Sequence, residues 1–202
     1  MAFKSLLNKI KYGQPIVIVS GLPRSGTSML MKMLEAGGME IISDGVRTAD
    51  DDNPKGYYEL ERVKELDKDS DKSWLKPLRG KAVKIVSYFL KYLPESNHYK
   101  VIFIERNLEE VIASQNKMLV NRGKPLDPDG GKGMIRNFES HLWKIKHVVL
   151  DKPWFEVLYI NHRDILSDPK VAAKKIYRFL EEKLDEARMT AAVDPKLYRN
   201  RQ

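Results

Sequence analysis

The sequence predicts an α/β fold with three layers, in which helices flank a central, mostly parallel sheet. Short apolar runs rich in Val and Ile alternate along the chain with amphipathic segments of helical period. The first apolar run ends in a glycine-rich loop that leads directly into a helical segment. Apolar strands between amphipathic helices are typical of a parallel sheet covered on both faces. Ligands bind to such folds at the carboxyl ends of the strands.

Five segments fit strands and five fit helices, and the two kinds largely alternate along the chain. The strand predictions are PIVIVS (15–20), MEII (39–42), KAVKIVSYF (81–89), VIFIER (101–106) and FEVLYI (155–160). The helix predictions are TSMLMKMLEAGG (27–38), YELERVKELDKD (58–69), LEEVIASQNKML (108–119), MIRNFESHLWKIKHVVL (134–150) and PKVAAKKIYRFLEEK (169–183). Gly37 and Gly38 are expected to end the first helix, and VIFIER is the clearest central strand. The polar stretch from Ser43 to Pro54 and the segment GKPLDPDGGKG (123–133) are expected to be loops.

Length and composition limit the protein classes. A chain of 202 residues that is 42% hydrophobic is sufficient for one buried core, so we expect a single domain over residues 1–202. The absence of cysteine excludes disulfide scaffolds, thiolate catalysis and cysteine-based zinc sites. The four histidines are scattered without metal-ligand spacing, so no metal site is expected.

The amino-terminal segment has apolar residues at helical spacing, but lysines interrupt them. These apolar residues are Phe3, Leu6, Leu7 and Ile10, and the lysines are Lys4, Lys9 and Lys11. A signal peptide or a membrane span would not be interrupted in this way. We therefore expect a cytoplasmic protein without a transmembrane segment. Its first residues are expected to form a short helix packed on the domain, and a helix lying on an anionic membrane surface is the less favoured alternative.

The charge of the chain favours an anionic partner. The net charge is +8 and the isoelectric point is near 9.4. Basic residues are interspersed with acidic ones, and no basic arm, zinc finger or aromatic RNA-binding signature is present. We therefore expect a small polyanionic ligand and no nucleic acid.

The loop GLPRSGTS differs from a phosphate-binding Walker loop at one position. Gly21, Gly26 and Ser28 fit the pattern G-x-x-x-x-G-K-[ST], but Thr27 takes the place of the lysine and Arg24 adds a cation. A loop between a strand and a helix directs the main-chain amides of residues 25–28 at an anion, and the helix dipole adds positive charge. The alternative is a glycine turn that serves only tight packing.

Two motifs together resemble the sulfotransferase family. The stretch GLPRSGTSML is similar to the family's 5′-phosphosulfate loop in its Golgi and bacterial form, and IERNLEEVIASQ is similar to its 3′-phosphate motif. The segments NPKGYYE, VKIVSYFLKYLP and VLYINHRDILSDP also resemble family segments, so the likeness covers most of the chain.

The resemblance implies a P-loop-type fold and a cofactor. The donor would be 3′-phosphoadenosine 5′-phosphosulfate (PAPS), and the product 3′-phosphoadenosine 5′-phosphate (PAP). The acceptor would be a hydroxyl or amine of a small molecule or saccharide. The implied cofactor-binding residues are Arg24, Ser25, Gly26, Thr27, Ser28, Arg106 and Ser114.

The resemblance is weaker at the catalytic base. Cytosolic family members carry a histidine in a K-T-H-x-P segment, and the aligned residues here are Lys84 and, in place of the histidine, Val86. Other branches use a glutamate, so the candidate catalytic residues are Arg24, Glu59 and Lys84. His162 is a weaker substitute for the base.

The carboxy-terminal RKG element of the cytosolic branch is also missing. Arg199 or Arg201 is a possible source of its charge, although a basic tail is the favoured interpretation of that segment.

Several alternatives remain open at the level of sequence. In the alternative without a ligand, Arg106 forms an ordinary surface ion pair with Glu109 or Glu110, and Ser114 has no role in binding. The alternative for Glu59 is a solvent-facing carboxylate in the first turn of a helix. A non-catalytic PAPS- or PAP-binding protein is one alternative function. A small-molecule kinase, with Glu105 as the magnesium carboxylate at the end of VIFIE, is disfavoured by the missing lysine.

Overall fold

The computed structural model describes residues 8, 11–45, 58–126, 131–181 and 183–194. Its centre is a five-stranded sheet with the strand order β2-β3-β1-β4-β5, in which every neighbouring pair is parallel. The strands are β1 (Ile16–Ser20), β2 (Ile41–Ile42), β3 (Ala82–Lys84), β4 (Tyr99–Glu105) and β5 (Phe155–Asn161). Strands are present at all five expected places, but the strand expected within residues 81–89 is only Ala82–Lys84, and Ser87 begins a 3₁₀-helix.

Helices follow the strands in the described part of the chain. The α-helices are α1 (Thr27–Ala36), α2 (Leu108–Asn121), α3 (Lys132–Lys144), α4 (His162–Ser167), α5 (Pro169–Phe179) and α6 (Glu186–Ala191). The 3₁₀-helices are Glu61–Glu65, Ser73–Leu78 and Ser87–Tyr92, and a π-helical turn, Ile145–Val149, continues α3. The predicted α/β class, with helices flanking a parallel sheet, is confirmed.

Two apolar clusters cover the two faces of the sheet. One joins the sheet to α1, α5 and α6 through residues such as Leu34, Ile176 and Met189. The other joins it to the 3₁₀-helices and the end of α3 through residues such as Leu75, Leu90 and Ile145. Burial of one aliphatic side chain contributes about 1.5–3 kcal/mol to the free energy of folding. The two clusters therefore hold a layer of helices against each face of the sheet. All residues of β1 are buried, which fixes the strand that leads into the glycine-rich loop.

The order of the strands creates the site. From β1 the chain crosses to β2 and β3 on one side, and then to β4 and β5 on the other. The connections on the two sides of β1 therefore lead in opposite directions across the sheet. In parallel α/β sheets, ligands bind at the carboxyl ends of the strands at such a topological switch point. The neighbouring ends of β3 and β4 flank the loop that follows β1.

The predicted helix over residues 58–69 is largely wrong. The structure has one 3₁₀-helix there, Glu61–Glu65, and the chain then turns. Asp69 accepts a hydrogen bond from the amide of Asp71, and Asp71 accepts one from the amide of Ser73. Short acidic side chains compete in this way with the helical hydrogen-bond pattern, which ends the helix early.

Other expectations differ at their ends or lie outside the described residues. The helix predicted over 134–150 is α3 and the π-helical turn, and the sequence patterns did not indicate α4 or α6. Of the predicted amino-terminal helix, the structure describes Asn8, Lys11 and Tyr12, which are helical. Most of the Ser43–Pro54 loop, Arg199 and Arg201 fall outside the described residues. Among the described helices, none is both long and apolar enough to cross a bilayer. A single domain over residues 1–202 and a cytoplasmic location stay predictions.

Candidate active site

The glycine-rich loop is folded tightly between β1 and α1. The hydroxyl and the amide of Ser25 both donate to the carbonyl of Leu22, at 2.7 and 3.2 Å. Gly26 precedes α1 with a φ of +106°. A Cβ on Gly21 would lie 2.7 Å from the carbonyl oxygen of Ile104, so the loop approaches β4 closely. The first turn of α1, with Thr27 and Ser28, therefore starts beside the end of β4, where its amides and dipole favour an anion.

Arg24 connects the loop to the second motif. It has a left-handed backbone conformation with a φ of +68°, which is uncommon for a residue other than glycine. Its Nε donates to the hydroxyl of Ser114 on α2, at 3.1 Å. Its carbonyl accepts from Nη1 of Arg106, at 3.0 Å. The structure thus brings together the loop cation and both residues of the motif that followed β4 in the sequence.

A buried carboxylate holds Arg106 from the other side. Nε of Arg106 donates to Oε2 of Glu110 at 3.0 Å, and the Glu110 side chain is 0% exposed. The Glu110 pairing considered from the sequence is therefore present, but Arg106 is largely buried and is not an ordinary surface partner. Asn107 caps α2 by accepting from the Glu110 amide, which fixes the carboxylate at the start of the helix.

Arg163 completes this cluster and was not identified from the sequence. Its Nε and Nη2 donate to Oε1 of Glu110 at 2.9 and 2.6 Å. Arg163 lies in the first turn of α4, just after β5. Its position at the carboxyl end of a strand is the signal that would have indicated it.

Glu59 and Lys84 lie together on the other side of the loop. Oε1 of Glu59 is 3.6 Å from Nζ of Lys84, and Oε2 is 3.3 Å from Nζ of Lys64. The side chains of Glu59 and Lys84 are 18% and 7% exposed, so Glu59 is not a solvent-facing carboxylate. Lys84 is in register with Val19 of β1, two residues before the loop.

The position of the missing histidine is followed by a hydrogen-bonded pair that the sequence analysis missed. Val86 precedes the 3₁₀-helix Ser87–Tyr92. The Ser87 amide donates to the carbonyl of Gly21, and the Ser87 hydroxyl lies 2.8 Å from Nε2 of His141 on α3. Burial lowers the pKa of His141 below its usual range, and the charges of two nearby lysines act in the same direction. A neutral imidazole therefore borders the loop on the side of α3.

His162 lies against the loop rather than in an open cleft. A Cβ on Gly26 would be 2.6 Å from Cδ2 of His162, so the imidazole packs against the main chain there. Burial lowers the pKa of His162 to about 4, and Arg106 and Arg163 contribute in the same direction. A buried imidazole that holds a proton so weakly is poorly suited to act as a base near neutral pH.

Lowering the pH from 7.5 to 5 is expected to reduce the free energy of unfolding by about 2 kcal/mol through His162. In the folded chain the pKa of His162 is about 4, below its ordinary value of 6.5. Protons therefore bind preferentially to the unfolded chain, and stability is lost as the pH falls through that window. Urea unfolding of the wild type and His162→Gln at both pH values measures the difference.

The exposed His147 provides the control for this measurement. His147→Gln should keep the wild-type pH dependence, whereas His162→Gln should lose about 2 kcal/mol of it. Equal pH dependence in all three proteins would contradict the assignment.

The acidic residue at the end of β4 is paired. Nζ of Lys146, in the π-helical turn, donates a hydrogen bond to the Glu105 carboxylate. Glu105, the residue considered as a magnesium ligand, is therefore paired with a lysine. Within the described part of the chain, no group of three or more acidic or histidine side chains could hold a metal ion.

A family model matches most of the chain, and its description is the sulfotransferase domain. The match covers residues 14–196 and includes the glycine-rich loop, Glu59, Lys84, Arg106 and Ser114. The chain belongs to the sulfotransferase family. Arg199 and Arg201 lie beyond the matched residues of this family member.

Solved sulfotransferase structures share the fold of this family member. The mouse sulfotransferase SULT7A1, solved in complex with PAP, has a TM-score of 0.57 at 18% identity and covers 92% of this chain. This chain spans 63% of the mouse chain. A sulfotransferase from Alicyclobacillus acidocaldarius has a TM-score of 0.52 at 15% identity, over 92% of this chain and 99% of its own. A search of the curated proteins found no match.

Proposed function

We propose that this chain transfers a sulfuryl group from PAPS to a hydroxyl or amine acceptor and releases PAP. One observation supports this proposal above the others. The Arg24 contacts with Ser114 and Arg106 join the two motifs that resemble the family's phosphate sites at one edge of the sheet. The mouse relative with the same fold was solved with PAP, which adds support.

The residues of the loop fit a phosphate group. Gly21 and Gly26 let the loop pack closely against Ile104 and His162, where a Cβ would not fit, and the loop has no acidic residue. The amides of Gly26 and Thr27 and the hydroxyl of Ser28 would hold the 5′-phosphate, together with the Arg24 side chain. Ser25, whose amide and hydroxyl donate to Leu22, would bind the phosphate only if its amide shares its hydrogen between the two acceptors. Arg106 and Ser114 would hold the 3′-phosphate. PAPS would supply the transferable sulfuryl group.

The remaining side of the loop would carry the chemistry of the acceptor. Sulfuryl transfer is an in-line displacement, so the protein positions the reactants and stabilises developing charge. Glu59 would take the proton of the acceptor hydroxyl or amine at a carboxylate oxygen. Lys84 and Arg24 would stabilise negative charge on the leaving oxygen, a contribution that is typically about 3 kcal/mol for one donor. The 3.6 Å between Glu59 and Lys84 supports a shared role.

A second candidate function is a non-catalytic protein that binds PAPS or PAP. Val86 favours this candidate, because the base of the cytosolic branch is absent there. A kinase is disfavoured by Thr27 in the lysine position and by the pairing of Glu105 with Lys146.

One pair of assays separates these functions. Thermal unfolding is measured with PAP and with Mg-ATP, and turnover is then measured with labelled PAPS and a panel of alcohols, phenols, amines and sugars. We expect stabilisation by PAP, little by Mg-ATP, and transfer to at least one acceptor. Stabilisation by Mg-ATP alone would overturn the proposal. Binding of PAP without transfer to any acceptor would favour the binding protein.

Arg106→Ala is expected to reduce the affinity for PAP much more than the affinity for adenosine 5′-phosphate. The substitution removes a charge-assisted contact that is worth about 1.5–3 kcal/mol and is made only to the 3′-phosphate. Calorimetric titration of both nucleotides measures the difference. Equal weakening of the two nucleotides would remove the main argument for the 3′-phosphate at Arg106.

A further inference from the structure

Glu110 lies between two arginines that come from different parts of the chain. Its Oε2 accepts from Arg106 after β4, and its Oε1 accepts twice from Arg163 after β5. A fully buried carboxylate is stable only when it is paired, and here each oxygen has its own guanidinium. Because both guanidinium groups contact one carboxylate, they are neighbours at the edge of the sheet.

The cluster has more positive than negative charge. Two guanidinium groups face one carboxylate, and Arg24 binds Arg106 through its carbonyl. Burial is the main cause of the lowered pKa of His162; Arg106 and Arg163 add to it, and Glu110 opposes it. The charge at this edge therefore remains positive, as an anion with more than one negative charge requires. A phosphate monoester carries between about 1.5 and 2 negative charges at neutral pH.

We propose that Arg163 is a second arginine for the 3′-phosphate, beside Arg106. This inference rests on the proposed function. Because the two oxygens of one carboxylate hold both guanidinium groups, we expect these groups to be close enough to share one phosphate. The side chain of Arg163 is 53% exposed, so it can reach a ligand in solvent, whereas Arg106 is largely buried. Glu110 keeps both side chains in place before the ligand arrives.

The test measures the affinity of PAP and of adenosine 5′-phosphate for a set of variants. Arg163→Gln should weaken PAP by about tenfold or more and leave adenosine 5′-phosphate unchanged. Arg163→Lys, which keeps the positive charge, should bind PAP severalfold more tightly than Arg163→Gln does. Arg188→Gln is the matched control, because Arg188 is 76% exposed on α6 and its loss changes the net charge equally.

The outcomes separate this inference from the proposed function. The proposed role of Arg163 is overturned if Arg163→Gln binds PAP as tightly as Arg188→Gln does. It is also overturned if Arg163→Gln reduces the affinities for PAP and for adenosine 5′-phosphate equally. The proposed function survives that result if Arg106→Gln still weakens PAP selectively. If the wild type itself does not prefer PAP to adenosine 5′-phosphate, the proposed function fails first. Because Arg163 pairs with the buried Glu110 carboxylate, Arg163→Gln is expected to lower stability. Thermal unfolding therefore sets an assay temperature at which every variant is folded, and Arg163→Lys, which keeps the charge beside Glu110, separates lost stability from lost phosphate binding.

Discussion

Glu59→Gln is expected to reduce turnover by about 100-fold or more while the affinity for PAP stays nearly unchanged. The amide keeps the size and shape of the carboxylate but cannot take a proton from the acceptor. Glu59 contacts Lys84 and Lys64, not the arginines of the proposed 3′-phosphate site, so nucleotide binding should not depend on it. Steady-state turnover with labelled PAPS and calorimetric binding of PAP give the two quantities.

The neighbouring Glu61 supplies the control for that prediction. Its carboxylate also pairs with Lys64, but it is 45% exposed. Glu61→Gln should therefore keep wild-type turnover, since of these two carboxylates it is Glu59 that pairs with Lys84. Full turnover in Glu59→Gln together with none in His162→Ala would move the base to the residues after β5. That result would also contradict our interpretation of His162 as a buried, neutral packing residue.

Gly26→Ala is expected to weaken PAP and adenosine 5′-phosphate alike, by at least tenfold, and to destabilise the fold. The φ of Gly26 is +106°, and the added methyl group would lie 2.6 Å from the ring of His162. A side chain in such a conformation costs about 1–2 kcal/mol, and a forced contact in a packed region adds about 1–3 kcal/mol. The loop must shift to relieve the contact, so its amides would no longer converge on the position proposed for the 5′-phosphate.

Gly38→Ala separates backbone strain from the contact with His162. Gly38 also has a positive φ, +95°, but a Cβ there would meet no atom within 4 Å. Its substitution should lower stability through backbone strain alone and leave both nucleotides bound as in the wild type. Urea unfolding and calorimetry on the two variants provide the comparison. Wild-type affinity in Gly26→Ala would show that the loop does not hold the phosphate.

The sequence predicted the parts of the fold that depend on local patterns. Apolar runs located the five strands, and the glycine-rich loop located the start of α1, because these signals lie within short windows. The prediction of a long helix around Val63 was wrong because the side chains of Asp69 and Asp71 accept hydrogen bonds from main-chain amides just beyond it. Periodicity alone does not reveal that competition.

The sequence predicted the candidate site only where the motifs mark it. The motifs indicated Arg24, Arg106 and Ser114, and the structure places the three in contact. Arg163 meets Glu110 across 53 positions of sequence, and His141 meets Ser87 across 54. Such pairs depend on how distant helices pack at the edge of the sheet, and no local pattern contains that information.

Arg24 connects the sites proposed for the two phosphates of a bound nucleotide. Arg24 contacts both residues proposed for the 3′-phosphate, Arg106 through its carbonyl and Ser114 through its side chain, and it belongs to the loop proposed for the 5′-phosphate. Groups that share a network in this way couple by about 0.5–3 kcal/mol. The two phosphates should therefore bind cooperatively, so that removing either one also weakens the hold on the other. Affinities of nucleotides with a single phosphate would then underestimate the contribution of each phosphate to the binding of PAP.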